Sequence, residues 1–357
     1  MTEWSAPEPR AWVERFNALG ENLGAGGAAL VSLEPNALVR AARDATGLDD
    51  FGDENLQEPL EVLSRALQEE AELTLLGRVM IRAELQRLLQ NRLRIQARLS
   101  AEPKILERPI EAPVFVTGLG RSGTTFLHEL LWQDPANRVP LLYELLDPIA
   151  PPGAESGSPD PRVAASHREI TLMDEIIPAF TAMHENGGAL PTECIFIFAH
   201  LFQSDVWLGE YRIPSYAAWT AGADRLPLYR WHRRFLQLLQ RGDAPEPWIL
   251  KAPSHLSSLP ELFAVYPDAH VVVTHRDPLR VLGSLSNLMA TLMSMRTREV
   301  DRAACVRLQA AGFPFLLSRH MQQRAEGLIP EDQITDLRYV DLVANPVASV
   351  AALYERL

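Results

Sequence analysis

The chain has 357 residues, and its hydrophobic fraction of 47% is enough to build one large domain or two smaller ones around a buried core. A formal net charge of −12 argues against nucleic acid as a partner, because binding along a phosphate backbone needs an extended basic surface. The sequence has no apolar run near the ~18 residues of a membrane span, so we expect no transmembrane segment.

Two further features predict a cytoplasmic protein. The N-terminal residues 1–5 (MTEWS) have neither the basic start nor the apolar stretch of a secretory signal. The two cysteines, Cys194 and Cys305, are too few for a disulfide framework. We expect both to be buried free thiols in a reducing compartment.

Residues 1–110 are predicted to form a helical region that packs on the rest of the chain. Leucines recur there at helical spacing and are interleaved with Glu and Arg, which is the pattern of helices with one buried face. One helix is expected over Pro35–Thr46, with its proline near the start. We expect residues 111–357 to form a P-loop-like domain.

Strands alternate with helices in this second part. Strands are predicted near residues 114, 248–251, 270–274 and 336–339, and helices near 124, 256–266, 278–295 and 300–326, the last one broken near Pro314. Helical segments near 164–183 and 226–241 flank an irregular middle, and residues 151–161 form a loop rich in Pro, Gly and Ser. The predicted fold class is α/β, a P-loop-like central parallel sheet flanked by helices with a helical N-terminal extension.

Residues 118–125 (GLGRSGTT) form a glycine-rich turn between the first strand and its helix. Such a turn points backbone N–H groups and the positive end of the helix at one place, which favours phosphate or sulfate binding. The spacing matches the ATP and GTP phosphate loop, except that Thr124 occupies the lysine position. We therefore expect no ordinary triphosphate chemistry, and Arg121 supplies a cation whose planar fork suits an oxyanion.

Two other strand ends carry candidate ligand-binding residues, and ligands of parallel sheets bind beyond these ends. Lys251 closes the second strand. After the third strand, Asp277 is predicted to cap a helix that begins at Pro278. Ser284 follows the cap by nearly two helical turns, so we expect Arg276 and Ser284 to hold one anion together.

These three segments resemble the 3′-phosphoadenosine-5′-phosphosulfate (PAPS)-dependent sulfotransferases, and most closely the bacterial branch related to the tyrosylprotein enzymes. The resemblance is specific over residues 113–133 and 247–290 and continues more weakly over 30–345, where residues 338–346 (RYVDLVANP) look like the closing segment of the family. It implies an enzyme that transfers a sulfuryl group from PAPS to a hydroxyl, or less favourably an amine, of a small-molecule or lipid acceptor.

The resemblance implies a role for each matching residue. One group matches the loop that holds the 5′-phosphosulfate: Arg121, Ser122, Gly123, Thr124 and Thr125. Phe126 matches an aromatic that lies against the adenine. Arg276 and Ser284 match the pair that holds the 3′-phosphate, and Lys251 matches a lysine that stabilises the transferring group or its leaving oxygen.

The chemistry also suits these residue types. Sulfuryl transfer moves a singly charged group in line, so positioning and cationic stabilisation of the leaving phosphate carry most of the catalysis. Less charge accumulates than in triphosphate transfer, so Arg121 and Lys251 are expected to act as catalytic cations without a metal ion.

A base must also accept the proton of the acceptor. Glu144 lies where the tyrosylprotein-type relatives have a catalytic glutamate. His255 is the alternative, because it follows Lys251 as a catalytic histidine follows a lysine in cytosolic relatives, with two extra residues between them. Three residues that precede an apolar segment either line the acceptor pocket or are structural: His184, Glu185 and Glu193.

Other interpretations stay open. A nucleotide kinase or NTPase would need magnesium and the loop lysine, whereas a non-catalytic nucleotide-binding module would bind 3′,5′-adenosine bisphosphate (PAP) without turnover. The aromatic-rich residues 196–219 form either an apolar acceptor pocket or a packed helical cap. The sequence departs from the family at its end, because relatives usually continue beyond Leu357 and many have a later glycine-rich or basic segment over the 3′-phosphate.

Overall fold

Four parallel strands form the centre of the fold. They are β1 to β4, in chain order Val114–Gly118, Ile249–Lys251, His270–His275 and Ile334–Arg338. Their spatial order is β2-β1-β3-β4, and the register aligns Val116 with Lys251 and Gly118 with Thr274. The α/β fold with a parallel sheet is confirmed, and this register brings the carboxyl ends of the strands to one edge.

The computed structural model describes residues 7–151, 160–183, 185 and 187–357. Most of the loop predicted at 151–161 and the candidate residue His184 lie outside the described residues. Every helix in the described ranges is too short or too polar to cross a bilayer. Cys194 and Cys305 are free and buried, as predicted.

The helices surround the sheet. Helices α1 to α4 precede it and are Ala11–Asn22, Pro35–Thr46, Gln57–Glu69 and Leu75–Ala101. Helices α5 to α11 lie between β1 and β2 and are Thr124–Trp132, Leu142–Leu146, Pro161–Ile176, Ile195–Ala199, Val206–Glu210, Pro214–Gly222 and Leu226–Leu239. The remaining helices, α12 to α16, are Leu259–Val265, Pro278–Ser294, Arg302–Ala325, Tyr339–Ala344 and Pro346–Tyr354.

Side chains of β1 alternate between two apolar clusters, one on each face of the sheet. Phe115 and Leu250 belong to the larger cluster, which also contains buried leucines of α2, α3 and α4. Val116 and Ile249 belong to the smaller cluster, together with Leu127 of α5. The N-terminal helices therefore share a core with one face of the sheet, and the division at residue 110 stays a prediction.

Four rings from the aromatic middle of the chain pack together in a helical cap. The side chains of Phe202, Trp207, Tyr211 and Tyr216 are at most 1% exposed, and all four belong to the larger apolar cluster. Tyr216 also uses its hydroxyl group within the cap, where it accepts the N–H of Ser204 at 2.9 Å. These four buried rings are therefore not accessible to an acceptor molecule.

Capping residues in the sequence predicted the start of α13 correctly. The predicted break of α14 near Pro314 is wrong. Asp277 caps α13 by accepting the N–H of Leu279 at 2.9 Å, as predicted. Helix α14 instead runs through Pro314. Buried Phe313 and His320 anchor the two halves of α14, and this packing offsets the ~3 kcal/mol that an interior proline costs.

Replacing Pro314 with alanine should therefore stabilise the protein. We expect Pro314→Ala to raise the free energy of urea unfolding by about 1–3 kcal/mol, because it restores a helical N–H and removes a ring clash. Pro35→Ala is the matched control, since that proline lies in the first turn of α2, where proline is tolerated. Equal effects of the two substitutions would contradict this account of α14.

Candidate active site

The glycine-rich turn after β1 needs glycine at two positions. Gly118 and Gly123 have φ angles of +144° and +100°. A Cβ atom on Gly118 would lie 2.5 Å from the carbonyl oxygen of Thr274, and one on Gly123 would lie 2.7 Å from the ring of Tyr339. This close packing aims the N-terminus of α5, with its unpaired N–H groups, at the carboxyl edge of the sheet.

The buried hydroxyl of Ser122 anchors this turn to the sheet. Ser122 Oγ donates to the carbonyl oxygen of Leu119 at 2.6 Å and lies 2.7 Å from Thr274 Oγ1. Thr124 is also buried, with 3% exposure. The buried side chains of Ser122 and Thr124 leave mainly their backbone N–H groups for the predicted contacts of these two residues with a phosphosulfate.

Two arginines and a serine meet on one side of the turn. Arg121 has a φ of +70°, a strained value for a residue with a side chain, and its Nε donates to Ser284 Oγ at 3.1 Å. Arg276 Nη1 donates to the carbonyl oxygen of Arg121 at 2.9 Å. The structure thus brings together the predicted pair Arg276 and Ser284, and it directs Arg121 towards that pair.

Tyr339 is a site residue that the sequence did not reveal. It follows β4 as the first residue of α15, and the Arg276 guanidinium lies 4.2 Å from the centre of its ring. The ring also limits the space above Gly123. The only sequence indication was its place in the closing segment 338–346, since nothing local predicts contact with two other strand ends.

Lys251 lies on the other side of the turn. Its ammonium Nζ is 3.1 Å from Thr125 Oγ1 and 2.7 Å from Glu193 Oε1, and its side chain is 3% exposed. Burial, with a smaller contribution from Lys251, lowers the pKa of nearby His128 to about 3. His128 is therefore neutral at physiological pH, and the lysine supplies the positive charge here.

Phe126 and a small cavity complete the edge of the sheet. The Phe126 side chain, in the first turn of α5, is 38% exposed, so part of it is accessible to a planar group. A cavity of about 210 Å³ borders the turn and is lined in part by Gly118, Ser122, Arg276 and His320. A larger groove of about 790 Å³, lined by residues that include Trp219 of α10, lies apart from the strand ends.

The first proposed base, Glu144, takes part in a buried ion pair. Arg138 Nη2 lies 2.5 Å from Glu144 Oε1, and the N–H of Leu141 donates to Glu144 Oε2 at 3.0 Å. The two side chains are 7% and 8% exposed. Both carboxylate oxygens are occupied, so this arrangement does not favour proton abstraction, and the assignment as base stays a prediction.

The second proposed base, His255, lies on the opposite face of the sheet from Lys251. Its ring packs edge-on against Phe115 at 5.0 Å, and Nδ1 bonds the Tyr229 hydroxyl at 2.9 Å. Lys251 instead contacts Thr125 of α5, on the Val116 face. Burial lowers the pKa of His255 to about 3. The role of His255 as base also stays a prediction, and its surroundings do not support it.

A sequence profile described as "Sulfotransferase family" matches residues 113–357, more than half of the chain. The chain belongs to the sulfotransferase family. It is 26% identical over 255 residues to omega-hydroxy-beta-dihydromenaquinone-9 sulfotransferase Stf3 of Mycobacterium bovis, and equally to that of Mycobacterium tuberculosis. Each match covers 69% of this chain and 63% of the relative, so it spans less than two thirds of these curated proteins.

Solved structures of sulfotransferases have the same fold. Sulfotransferase STF1 from Mycobacterium tuberculosis H37Rv superposes with a TM-score of 0.79 at 34% identity, over 90% of this chain and 88% of that one. Sulfotransferase STF9 from Mycobacterium avium gives a TM-score of 0.79 at 29% identity, over 90% and 83% of the two chains. The resemblance that the strand-end motifs predicted is confirmed at the level of family and fold.

Stability measurements can separate the structural role of Glu144 from a catalytic one. We expect Glu144→Gln to lower the free energy of unfolding by about 3 kcal/mol, because it removes the nearer carboxylate partner of the buried Arg138 charge and leaves only the longer contact with Glu246 at 3.9 Å. The double variant Arg138→Met with Glu144→Gln removes that charge and should recover most of the loss. If Glu144→Gln has the same stability in urea as the wild type but loses turnover, the structural role of Glu144 is contradicted and a catalytic role is supported.

Buried histidines should make stability depend on pH. Burial is the main reason that His128, His200 and His255 each have a pKa of about 3, below the ~6.5 of an unfolded chain. The unfolded chain binds more protons between these values, so stability falls as the pH drops from ~6.5 towards ~3.

His255→Asn tests this dependence and the predicted base at once. Urea unfolding between about pH 4 and 6.5 should show a slope shallower by up to ~1.4 kcal/mol per pH unit than in the wild type, with turnover retained at neutral pH. An unchanged slope would contradict the neutral, buried histidine, and a loss of turnover would restore His255 as a candidate base.

Proposed function

We propose that this protein transfers a sulfuryl group from PAPS to a hydroxyl group of a small-molecule or lipid acceptor. The observation that carries the proposal is the presence of cations on both sides of the glycine-rich turn. Arg121 and Arg276 lie on one side with Ser284, and Lys251 lies on the other, 3.1 Å from Thr125. This arrangement fits a donor that carries negative charge at two separate places.

In the proposed complex, the N-terminus of α5 holds the 5′-phosphosulfate and Arg276 with Ser284 holds the 3′-phosphate. The exposed face of Phe126 supports a stacking role against the adenine. Tyr339 keeps the Arg276 guanidinium in place through contact with its ring. ATP has no second anionic end to occupy the arginine side, so the geometry favours PAPS over a triphosphate.

Lys251 is proposed to stabilise the transition state. As the sulfur–oxygen bond to the 5′-phosphate breaks, the electron pair stays on the phosphate oxygen, where the buried ammonium can neutralise it. The new bond forms between the sulfur and the acceptor oxygen. One donor in such a position contributes on the order of 3 kcal/mol, or at least about a hundredfold in rate.

The relatives support a hydroxyl-bearing acceptor. Stf3 is named as a sulfotransferase of an omega-hydroxy menaquinone derivative, an apolar molecule with a hydroxyl group. The match spans 63% of that relative, and we extend to this chain only the class of acceptor, a hydroxyl on an apolar small molecule or lipid. The buried free thiols Cys194 and Cys305 support a reducing, cytoplasmic location as part of this proposal.

The direct test is a magnesium-free reaction with PAPS. The protein is incubated with cell extract, PAPS and EDTA, and mass spectrometry searches for products heavier by one SO3 unit. We expect such a product together with PAP. Turnover of ATP that requires magnesium would instead support a kinase or NTPase, and PAP binding without any product would support a binding module.

Two variants should separate donor binding from catalysis. Lys251→Ala should lower turnover at least about a hundredfold with little change in PAP affinity. Arg276→Ala should weaken PAP binding, measured by calorimetry, by about tenfold or more, because it removes a charge-assisted contact. Arg98→Ala is the matched control, since Arg98 pairs with Glu102 at the end of α4, in the N-terminal helices. Equal losses of PAP affinity in Arg276→Ala and Arg98→Ala would contradict the 3′-phosphate assignment.

A further inference from the structure

Glu193 lies beside Lys251, whereas the two proposed bases, Glu144 and His255, do not contact this lysine. Its Oε1 lies 2.7 Å from the Nζ of Lys251, the lysine proposed to act on the leaving oxygen. The glutamate side chain is 24% exposed, whereas the lysine side chain is 3% exposed. The carboxylate therefore lies between a buried cation and solvent.

The backbone on both sides of Glu193 is fixed. The N–H of Thr192 donates to the carbonyl oxygen of Pro140 at 3.0 Å, and the N–H of Cys194 donates to the carbonyl oxygen of Lys251 at 2.9 Å. Cys194 is fully buried. Glu193 is therefore attached to the end of β2 itself, and its approach to Lys251 is set by the fold.

We infer that Glu193 is the catalytic base of the proposed sulfuryl transfer and holds Lys251 in place until the donor binds. The inference rests on the proposed function. The acceptor hydroxyl gives its proton to a Glu193 oxygen while its own oxygen bonds to sulfur. The sulfur–oxygen bond to the 5′-phosphate breaks, and Lys251 stabilises the phosphate oxygen that keeps the electron pair. The exposed edge of Glu193 then returns the proton to solvent.

The ion pair also has a role before the reaction. Without a donor, the Glu193 carboxylate neutralises a lysine that would otherwise be a buried, unpaired charge. When PAPS binds, the leaving oxygen replaces part of this interaction, which frees the carboxylate to accept a proton. One residue thus couples the presence of the donor to the activation of the acceptor.

The test compares Glu193→Gln with Glu129→Gln in the full-length protein. Glu129 lies one turn after Thr125 on α5, so its substitution removes a nearby carboxylate without touching Lys251. We expect Glu193→Gln to lower the rate at which the sulfonated product forms at least about a hundredfold. The affinity for PAP, measured by calorimetry, should not be weaker than that of the wild type. Glu129→Gln should keep wild-type turnover.

Chemical rescue separates a base from a purely structural residue. Added formate should restore part of the turnover of Glu193→Ala, because a small carboxylate can enter the vacated space and accept the proton. Glu193→Asp, which keeps the charge with a shorter reach, should fall between wild type and Glu193→Gln, and its PAP binding reports whether it has folded.

The outcomes distinguish this inference from the proposed function. If the wild type forms a sulfonated product and Glu193→Gln stays within about tenfold of its rate, the inference is wrong and the function stands. Lost turnover without any formate rescue, in variants that bind PAP normally, would also overturn the role as base. If the wild type forms no sulfonated product, the proposed function fails and the inference fails with it.

Discussion

The site depends on the register of the parallel sheet. Because Val116 aligns with Lys251 and Gly118 aligns with Thr274, strand ends from distant parts of the chain meet around one turn. The residue at the end of a single strand, such as a lysine or a threonine, could not bind a donor by itself. Together they place Lys251 on one side of the N-terminus of α5 and Arg121 with Arg276 on the other, which fits the proposed donor with two anionic ends. The glycine conformations of the turn hold this alignment at close range.

Sequence patterns predicted the parts of this arrangement that are local. The turn at 118–125, the cap at Asp277 and the helix over Pro35–Thr46 follow from residues that lie next to one another in the chain, and all three have the expected structure. The meeting of Arg276 with Ser284 near the turn was also predictable, because ligands of parallel sheets bind at the carboxyl ends of the strands.

Sequence patterns could not predict which side chains pair across the fold. His255 is four residues from Lys251 in the chain, but β2 ends at Lys251, and a 3-10 turn at Pro253–Ser257 carries the histidine to the other face of the sheet. Glu193 and Tyr339 reach the site from distant segments, and the strand order β2-β1-β3-β4 determines those contacts. Proximity in sequence to Lys251 was therefore a poor guide to the surroundings of His255.

The most direct measurement of the central claim is a crystal structure of the protein with PAP bound. The account predicts that the 5′-phosphate lies on the N-terminus of α5 within reach of Lys251, and that the 3′-phosphate contacts Arg276 and Ser284. A nucleotide that binds in the groove beside Trp219, or whose 3′-phosphate lies away from Arg276 and Ser284, would contradict it.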